Sequence, residues 1–481
     1  MDYYSTIERN LEAMGRDLEG LTYEGVPVFH FLKITTYLHF KNRYLHQQWG
    51  RIHKCKSLAW QVVRQLWCPD RIGPAQSFAS AGADYILVID HYQPNFILLM
   101  LRMAVEFGED RVLILTKDRR IEAELQGAFA GPCYTPTLER TMRVKPAHLR
   151  LLAVVYRKTP LFRNEGKFFT LACFADALTT MKMFDFYLTH LDPAQVQAVL
   201  TLSDVHPFET AVTKAAGEKG IPNFTLQHGV PEVMFTPVHS DRIFVWGEKS
   251  RQDLLRLGVP PEKIVISGCP LLDEAAAKCK ASAPSLRASF RARHPRGNSS
   301  GRLVTYIATN LGNREERALL AAFAATWNLG ILPVVRLKPT HDQKQVQEFR
   351  DWISELGGAS EVQVSMTDDL YELLTVSDVV VGSQSSVVVE SLAFGCIPVL
   401  LDILPEYDLR LINPHYGECL IARDADALKR MISRMTEDPA YFKQLQEAYA
   451  AIAGRYFGGQ PGVPATRFIR DYIVNFASPQ A

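Results

Sequence analysis

The chain has 481 residues, 47% of them apolar and 22% charged, a composition that excludes a disordered, collagen-like or coiled-coil protein. At roughly 100–200 residues per domain, this length makes two or three domains. The 53 Lys and Arg balance 52 Asp and Glu to a net charge of +1, which argues against a polyanion binder, so no nucleic-acid partner is expected.

The 8 cysteines form no CxxC and no close pair, so free thiols in a reducing compartment are expected, with neither a disulfide framework nor a metal site. The first residues carry no basic n-region and no apolar h-region. The apolar run 85–107 is broken by Asp90, His91, Gln93, Pro94, Asn95 and Arg102, which makes it too polar to span a bilayer. The expected location is the cytoplasm.

Residues 1–60 show loose helical spacing and no chemistry that can be assigned. From 84 onward, short apolar runs alternate with helical stretches. Strands are predicted at 85–90, 111–116, 196–202, 223–226, 242–246 and 263–267, with helices at 209–219 and 249–257 among them. Continuous apolar strands alternating with helices predict a parallel sheet covered on both faces. The polar run 274–302 reads as an interdomain linker with some helix in its first part. A second series follows at 303–308, 331–337, 362–364, 379–381, 397–401 and 419–422, and an amphipathic run closes the chain at 465–476. The fold class expected is therefore α/β, with two Rossmann-like domains facing across a cleft. The boundaries are 1–285 for an N-terminal α/β domain with a helical extension, 286–302 for the linker and 303–464 for the second domain. A terminal helix, 465–481, is available to pack back on the first. Ligands are expected between the carboxyl ends of the two sets of strands.

The densest chemical signal is 377–402, where a buried strand runs into Gly382, Ser383, Gln384, Ser385 and Ser386 and a helix begins at once. Unpaired N–H groups and the helix dipole make such a turn a seat for phosphate. The plain alternative is a serine N-cap with Gly395 as the stop. With Ser386 as N-cap, a capping-box carboxylate belongs at 389, one residue before Glu390. That leaves Glu390 unexplained by capping and able to reach a ribose hydroxyl. Lys338 and His341, in the loop after the strand at 331–337, can both donate to phosphate. Asn310 sits in a third candidate loop, which can equally be an ordinary turn. In the first half, His228 lies between Gln227 and the turn residue Gly229 after a strand. Asp204 and Glu209 flank His206 and Pro207 after another, as a general base or as helix caps. Asp424 and Asp426 have the letters of a metal-binding pair but open a helical run, where caps and dipole partners are expected. No P-loop and no nucleophile elbow is present.

The runs TLQHG at 225–229, SDRIFVWGE at 240–248 and KIVISGCP at 263–270, with Asp273, resemble GT-B glycosyltransferases of bacterial capsule and lipopolysaccharide assembly. The nearest are sialyl- and Kdo-transferase-like enzymes, and more distantly the teichoic-acid glycerophosphotransferases; the resemblance spans about 204–402. It implies transfer of a sugar from a nucleotide-activated donor to a surface polysaccharide or glycolipid, without metal or further cofactor. The second domain would hold the donor and the first the acceptor, with contact at the inner membrane face compatible with that role. It carries Lys338, His341, Ser385 and Ser386 to the donor phosphates; Ser383, Glu390 and Asn310 join them on the residue-level reading, with Asp204, His228 or Glu209 on the catalytic side. Many CMP-sugar and CDP-glycerol enzymes carry His-Pro where this chain reads Thr340-His341. The chain also lacks the His-x-Glu-Ala-Gly run of the nucleotide-sugar epimerases, which share the fold. The alternatives are an epimerase or hydrolase of a nucleotide sugar, and a binding subunit without catalysis.

Overall fold

A computed structural model describes residues 3–44, 83–90, 93–116, 118–134, 144–165, 167–296, 300–309, 313–339, 341–358, 360–366, 368–383, 385–404 and 414–478. A small antiparallel hairpin, β1 (Thr22–Tyr23) and β2 (Val26–Pro27), precedes two sheets. The first sheet holds β3 (Tyr85–Val88), β4 (Val112–Leu115), β5 (Cys133–Tyr134), β6 (Ala198–Thr201), β7 (Asn223–Leu226), β8 (Arg242–Val245) and β9 (Ile264–Ile266). Its order is β5-β4-β3-β6-β7-β8-β9, with every neighbouring pair parallel. The second sheet holds β10 (Leu303–Ile307), β11 (Leu332–Arg336), β12 (Gln363–Ser365), β13 (Val379–Gly382), β14 (Ile397–Leu401) and β15 (Leu420–Ala422). Its order is β12-β11-β10-β13-β14-β15, again parallel throughout. These are the two α/β Rossmann-like domains expected from the sequence. Each residue of β3, β4, β6, β7, β10 and β11 is buried, as a strand covered on both faces must be. In each sheet the strand order reverses once, at β3/β6 and at β10/β13, and these are the places where loops part to admit a ligand.

The unassigned N-terminal stretch supplies helices to the first domain. Helix Tyr3–Asp17 buries Ile7, Leu11 and Met14 at helical spacing, and helix Phe29–Tyr44 packs on helix Lys167–His190.

The expected linker is largely helical. Helix Pro270–Arg293 takes in the first eight residues of 286–302 and passes through Pro284 without ending. Its first turns put Leu271, Leu272 and Ala275 into a core shared with the first sheet. Its last turns put Leu286 and Phe290 against Leu303, Leu332, Val334, Leu373 and Val376 of the second domain. Arg287 also reaches Asp378 at 3.0 Å, and the other carboxylate oxygen of Asp378 accepts the N–H of Leu303 at 2.8 Å. Apolar anchors four residues apart, with a buried partner waiting, hold helix where composition alone suggested coil.

Helix Ala465–Ala477 lies on the first domain. Tyr472 meets Phe224 and Phe244 edge-on, Phe476 sits under the guanidinium of Arg242, and the N–H of Ala465 reaches Asp273 at 2.9 Å. The domains touch at backbone level where Gly247 faces helix Pro439–Phe457. A Cβ at Gly247 would lie 2.5 Å from the carbonyl oxygen of Arg455.

Candidate functional site

The second domain presents three loops at the carboxyl ends of β10, β11 and β13, which are adjacent strands. After β10, Thr309 is fixed by Glu316, which accepts its backbone N–H at 2.9 Å and its hydroxyl as well. Asn310, the next residue, lies outside the described residues. After β11, a tight turn joins Lys338 to His341, whose N–H donates to the carbonyl of Lys338 at 3.0 Å. The His341 ring is buried, stacks on Phe349 and pairs through Nε2 with the carbonyl of Thr309 at 3.3 Å. His341 thus ties the β11 loop to the β10 loop. Burial lowers its pKa, with Lys338 adding to the effect, so the imidazole is neutral at physiological pH. Lys338 is half-buried beside it.

After β13 the chain narrows through Gly382, where a Cβ would meet Val388 at 2.7 Å. Ser383 and Ser385 are buried. The helix that follows is short: Ser386–Glu390 is α-helical, Ser391–Phe394 tightens to 3-10, and Gly395 ends it at φ 82°. Its N-cap is Ser385, not Ser386, and the Ser385 side chain makes no capping bond. Three β-branched residues in five, Val387, Val388 and Val389, account for the early tightening. Glu390 is therefore the last α-helical residue, and Ser386 hydrogen-bonds its carboxylate. Burial pushes the Glu390 carboxyl above its usual range and that bond pulls it partly back.

Glu390 also faces groups that the sequence did not mark. It acts electrostatically on Tyr371, on Cys269 at the start of helix Pro270–Arg293, and on Tyr416. Tyr371 stacks on Phe394, and its buried hydroxyl has no hydrogen-bond partner among the described residues. An unspent phenol beside a carboxylate suits a ligand hydroxyl. Its only sequence signal was a tyrosine in the first turn of a helix capped by Asp369.

On the first domain, Asp204 is 2% exposed. Its Oδ2 accepts the N–H of His239 at 2.6 Å, the N–H of Ser240 at 2.9 Å and the Ser240 hydroxyl at 3.2 Å. Burial raises its pKa against the pull of those bonds. Asp204 thus holds the far end of the loop 228–240; its three bonds go there and not to His228 or Glu209. Glu209, also buried, sits in the first turn of helix Pro207–Glu218. His228 opens the same loop, half-buried, with its ring stacked on Phe235 and edge-on to Phe96. Gln227, before it, is a residue whose role the sequence concealed. Its side chain donates to the carbonyl of Gly229 at 2.9 Å and accepts the N–H of Trp246 at 2.9 Å, which fixes the turn that presents His228. Asp424 caps helix Ala425–Glu437 by accepting the N–H of Ala427.

Beneath this loop the rings of His30 and His239 lie 4.4 Å apart. Burial brings the pKa of His30 down to about 3, and the cations of Lys214 and Lys33 contribute. The sign follows. In the unfolded chain His30 binds a proton below about pH 6.5, while in the folded chain it stays neutral until about pH 3. Stability is therefore lost as pH falls through 6.5. His30→Asn is expected to gain on the wild type between pH 7 and pH 5, by at most about 1.4 kcal/mol per unit below 6.5. Urea unfolding of both proteins at pH 7, 6 and 5 measures this. Parallel pH curves would show that His30 protonates equally in both states.

The structure thus brings Lys338, His341 and Thr309 together, pairs Ser386 with Glu390, and places Asp204 and His228 at opposite ends of one loop. No protein-family model matches the chain, and neither does the sequence of any curated protein. Solved structures do. UDP-GlcNAc 2-epimerase from Neisseria meningitidis, bound to UDP-GlcNAc, superposes with a TM-score of 0.51 at 14% identity, over 81% of this chain and 100% of that one. Another UDP-N-acetylglucosamine 2-epimerase gives 0.50 at 13% identity, over 83% and 97%. Anabaena HepE, solved with UDP and glucose, gives 0.49 at 13%, over 82% and 100%. The two epimerases share with this chain the fold of paired Rossmann-like domains.

Proposed function

We propose that the chain is a glycosyltransferase of GT-B type that moves a sugar from a nucleotide-activated donor to a bacterial surface polysaccharide or glycolipid. The observation that carries this reading is that Lys338 and His341 follow β11, and Ser383, Ser385, Ser386 and Glu390 follow β13, at the carboxyl ends of the two strands that flank β10. An ammonium and the first N–H groups of a helix suit the donor phosphates. Glu390, with Ser386 and Tyr371 beside it, suits sugar or ribose hydroxyls. The resemblance in sequence supports the same assignment, and the fold shared with an epimerase solved with UDP-GlcNAc supports a nucleotide-sugar ligand without choosing between transfer and epimerisation.

In this scheme His228 takes the proton of the acceptor hydroxyl as its oxygen bonds to the anomeric carbon. The bond from that carbon to the donor phosphate breaks, and the nucleotide leaves with the electron pair, held by Lys338. Asp204 acts at one remove by fixing the loop that carries His228. No metal is required, because Lys338 and the helix N–H groups supply the charge stabilisation.

A thermal-shift screen of CMP, CDP, UDP, GDP and their sugars tests the donor site, and turnover with the best donor tests the reaction. A screen in which none of these ligands raises the melting temperature sinks the proposal. Conversion of donor without acceptor would identify an epimerase or hydrolase, and tight binding without turnover a binding subunit.

Glu390→Gln separates ligand from fold. Because burial disfavours the charged form, the neutral amide should leave the free protein as stable or slightly more so. Nucleotide-sugar affinity should drop by about 1.5–3 kcal/mol, tenfold to more than a hundredfold, through loss of a charge-assisted hydrogen bond. Titration calorimetry beside an unfolding curve reads both; unchanged affinity would leave Glu390 a helix residue.

A further inference from the structure

The first domain gathers five basic side chains around the loop 228–240: the rings of His30 and His239 lie 4.4 Å apart, Lys33 and Lys263 donate to carbonyls of that loop, and Lys214 acts electrostatically on both imidazoles. They come from separate elements. His30 and Lys33 lie on helix Phe29–Tyr44, Lys214 on helix Pro207–Glu218, His239 in the loop before β8, and Lys263 in the turn before β9. Lys263 is spent, since its Nζ donates to the carbonyls of Val238 and Ser240 at 2.8 Å each. Lys33 donates to the carbonyl of Val233 at 2.9 Å and to the Thr236 hydroxyl at 3.3 Å, which leaves one of its three N–H bonds. Lys214 makes no hydrogen bond or ion pair among the described residues. The Nδ1 atoms of His30 and His239 are buried and have no partner there either. Two carboxylates act on this group. Asp204 is saturated at Oδ2 by the 239–240 loop, and Glu218 is exposed on the last turn of its helix.

We propose that His30, Lys33, Lys214 and His239 form a subsite for a phosphoryl group, apart from the donor loops of the second domain. Four donor-bearing groups from three elements, with too few acceptors among the described residues, are complementary to a compact anion. Ammonium and imidazole act as point donors and suit a tetrahedral oxyanion, whereas a planar carboxylate is best matched by the fork of an arginine, which is not among the four. Burial and the neighbouring cations hold His239 well below its usual pKa, and burial takes Lys33 down to about 7. A dianion would relieve both. The subsite lies under the loop 228–240 and does not depend on the transferase reading, because its probe contains no nucleotide.

The test is calorimetric titration of the full chain with inorganic phosphate, and separately with phenyl phosphate, in phosphate-free buffer. One phosphate per chain is expected. Lys214→Met should weaken binding at least tenfold with little change in the unfolding midpoint, since that ammonium makes no hydrogen bond or ion pair among the described residues and feels Asp204 and Glu218 only at longer range. Lys338→Met should leave binding intact. His239→Asn gives a second arm should the first variant fold poorly. In the wild type, the imidazole resonances of His30 and His239, assigned through single Asn variants, should move on addition of phosphate. Binding of phenyl phosphate as well would mean that the subsite admits an esterified phosphate, and binding of inorganic phosphate alone that its ligand is the free ion. No binding, or binding lost in Lys338→Met and kept in Lys214→Met, overturns the proposal.

Discussion

Asp204→Ala is expected to destabilise the first domain by about 3–5 kcal/mol, a large part of the 5–15 kcal/mol that holds a typical domain together. The change strips the acceptor from two buried backbone N–H groups, those of His239 and Ser240, while the Ser240 hydroxyl keeps the Arg242 carbonyl at 3.0 Å. Each such orphan costs about 1–3 kcal/mol. It also withdraws the carboxylate that offsets Lys33 and Lys214. Asp204→Asn keeps one acceptor and should cost less than half as much. Urea unfolding, followed by a probe in the first domain, gives both values. If Asp204 acts instead as the proton acceptor, Asp204→Asn will abolish turnover and leave the unfolding midpoint where it was.

For His228→Asn the expected loss is in turnover, about 10²–10⁴-fold in kcat, the usual contribution of a positioned general base. Donor affinity should not change, because the donor loops belong to the other domain. The fold should lose little, since Gln227 keeps the turn closed through Gly229 and Trp246. What disappears is an imidazole stacked on Phe235. Steady-state kinetics with the donor found by thermal shift, and calorimetry for its Kd, separate the two effects. A kcat within about threefold of wild type would remove His228 from proton transfer, far below the span a general base supplies.

The sheets were legible because a strand buried on both faces is a near-continuous apolar run, as 85–88 and 112–115 are throughout and 198–201 and 303–307 are but for Thr201 and Thr305. β5 escaped notice because two residues at a sheet edge leave no run to read. The second half of helix Pro270–Arg293 was illegible for a different reason. Its stability comes from Leu286 and Phe290 meeting residues of another domain, and its own letters include Pro284 and several serines. The serine loop could be found from its small hydroxyl residues, but the length of its helix could not, because β-branched crowding set that length. Asp204 read equally well as base or cap, since the groups that decide, His239 and Ser240, lie 35 and 36 residues further along. Residue-level chemistry picks out candidates; pairing across such distances decides their roles.

The return of helix Ala465–Ala477 to the first domain has a consequence for biogenesis. On a ribosome, residues up to 293 emerge long before Tyr472 and Phe476, so Phe224 and Phe244 wait uncovered while the whole second domain is made. The first domain begins first and finishes last. During that interval its β7–β8 face is an apolar surface open to chaperones, or to the same face of another nascent chain.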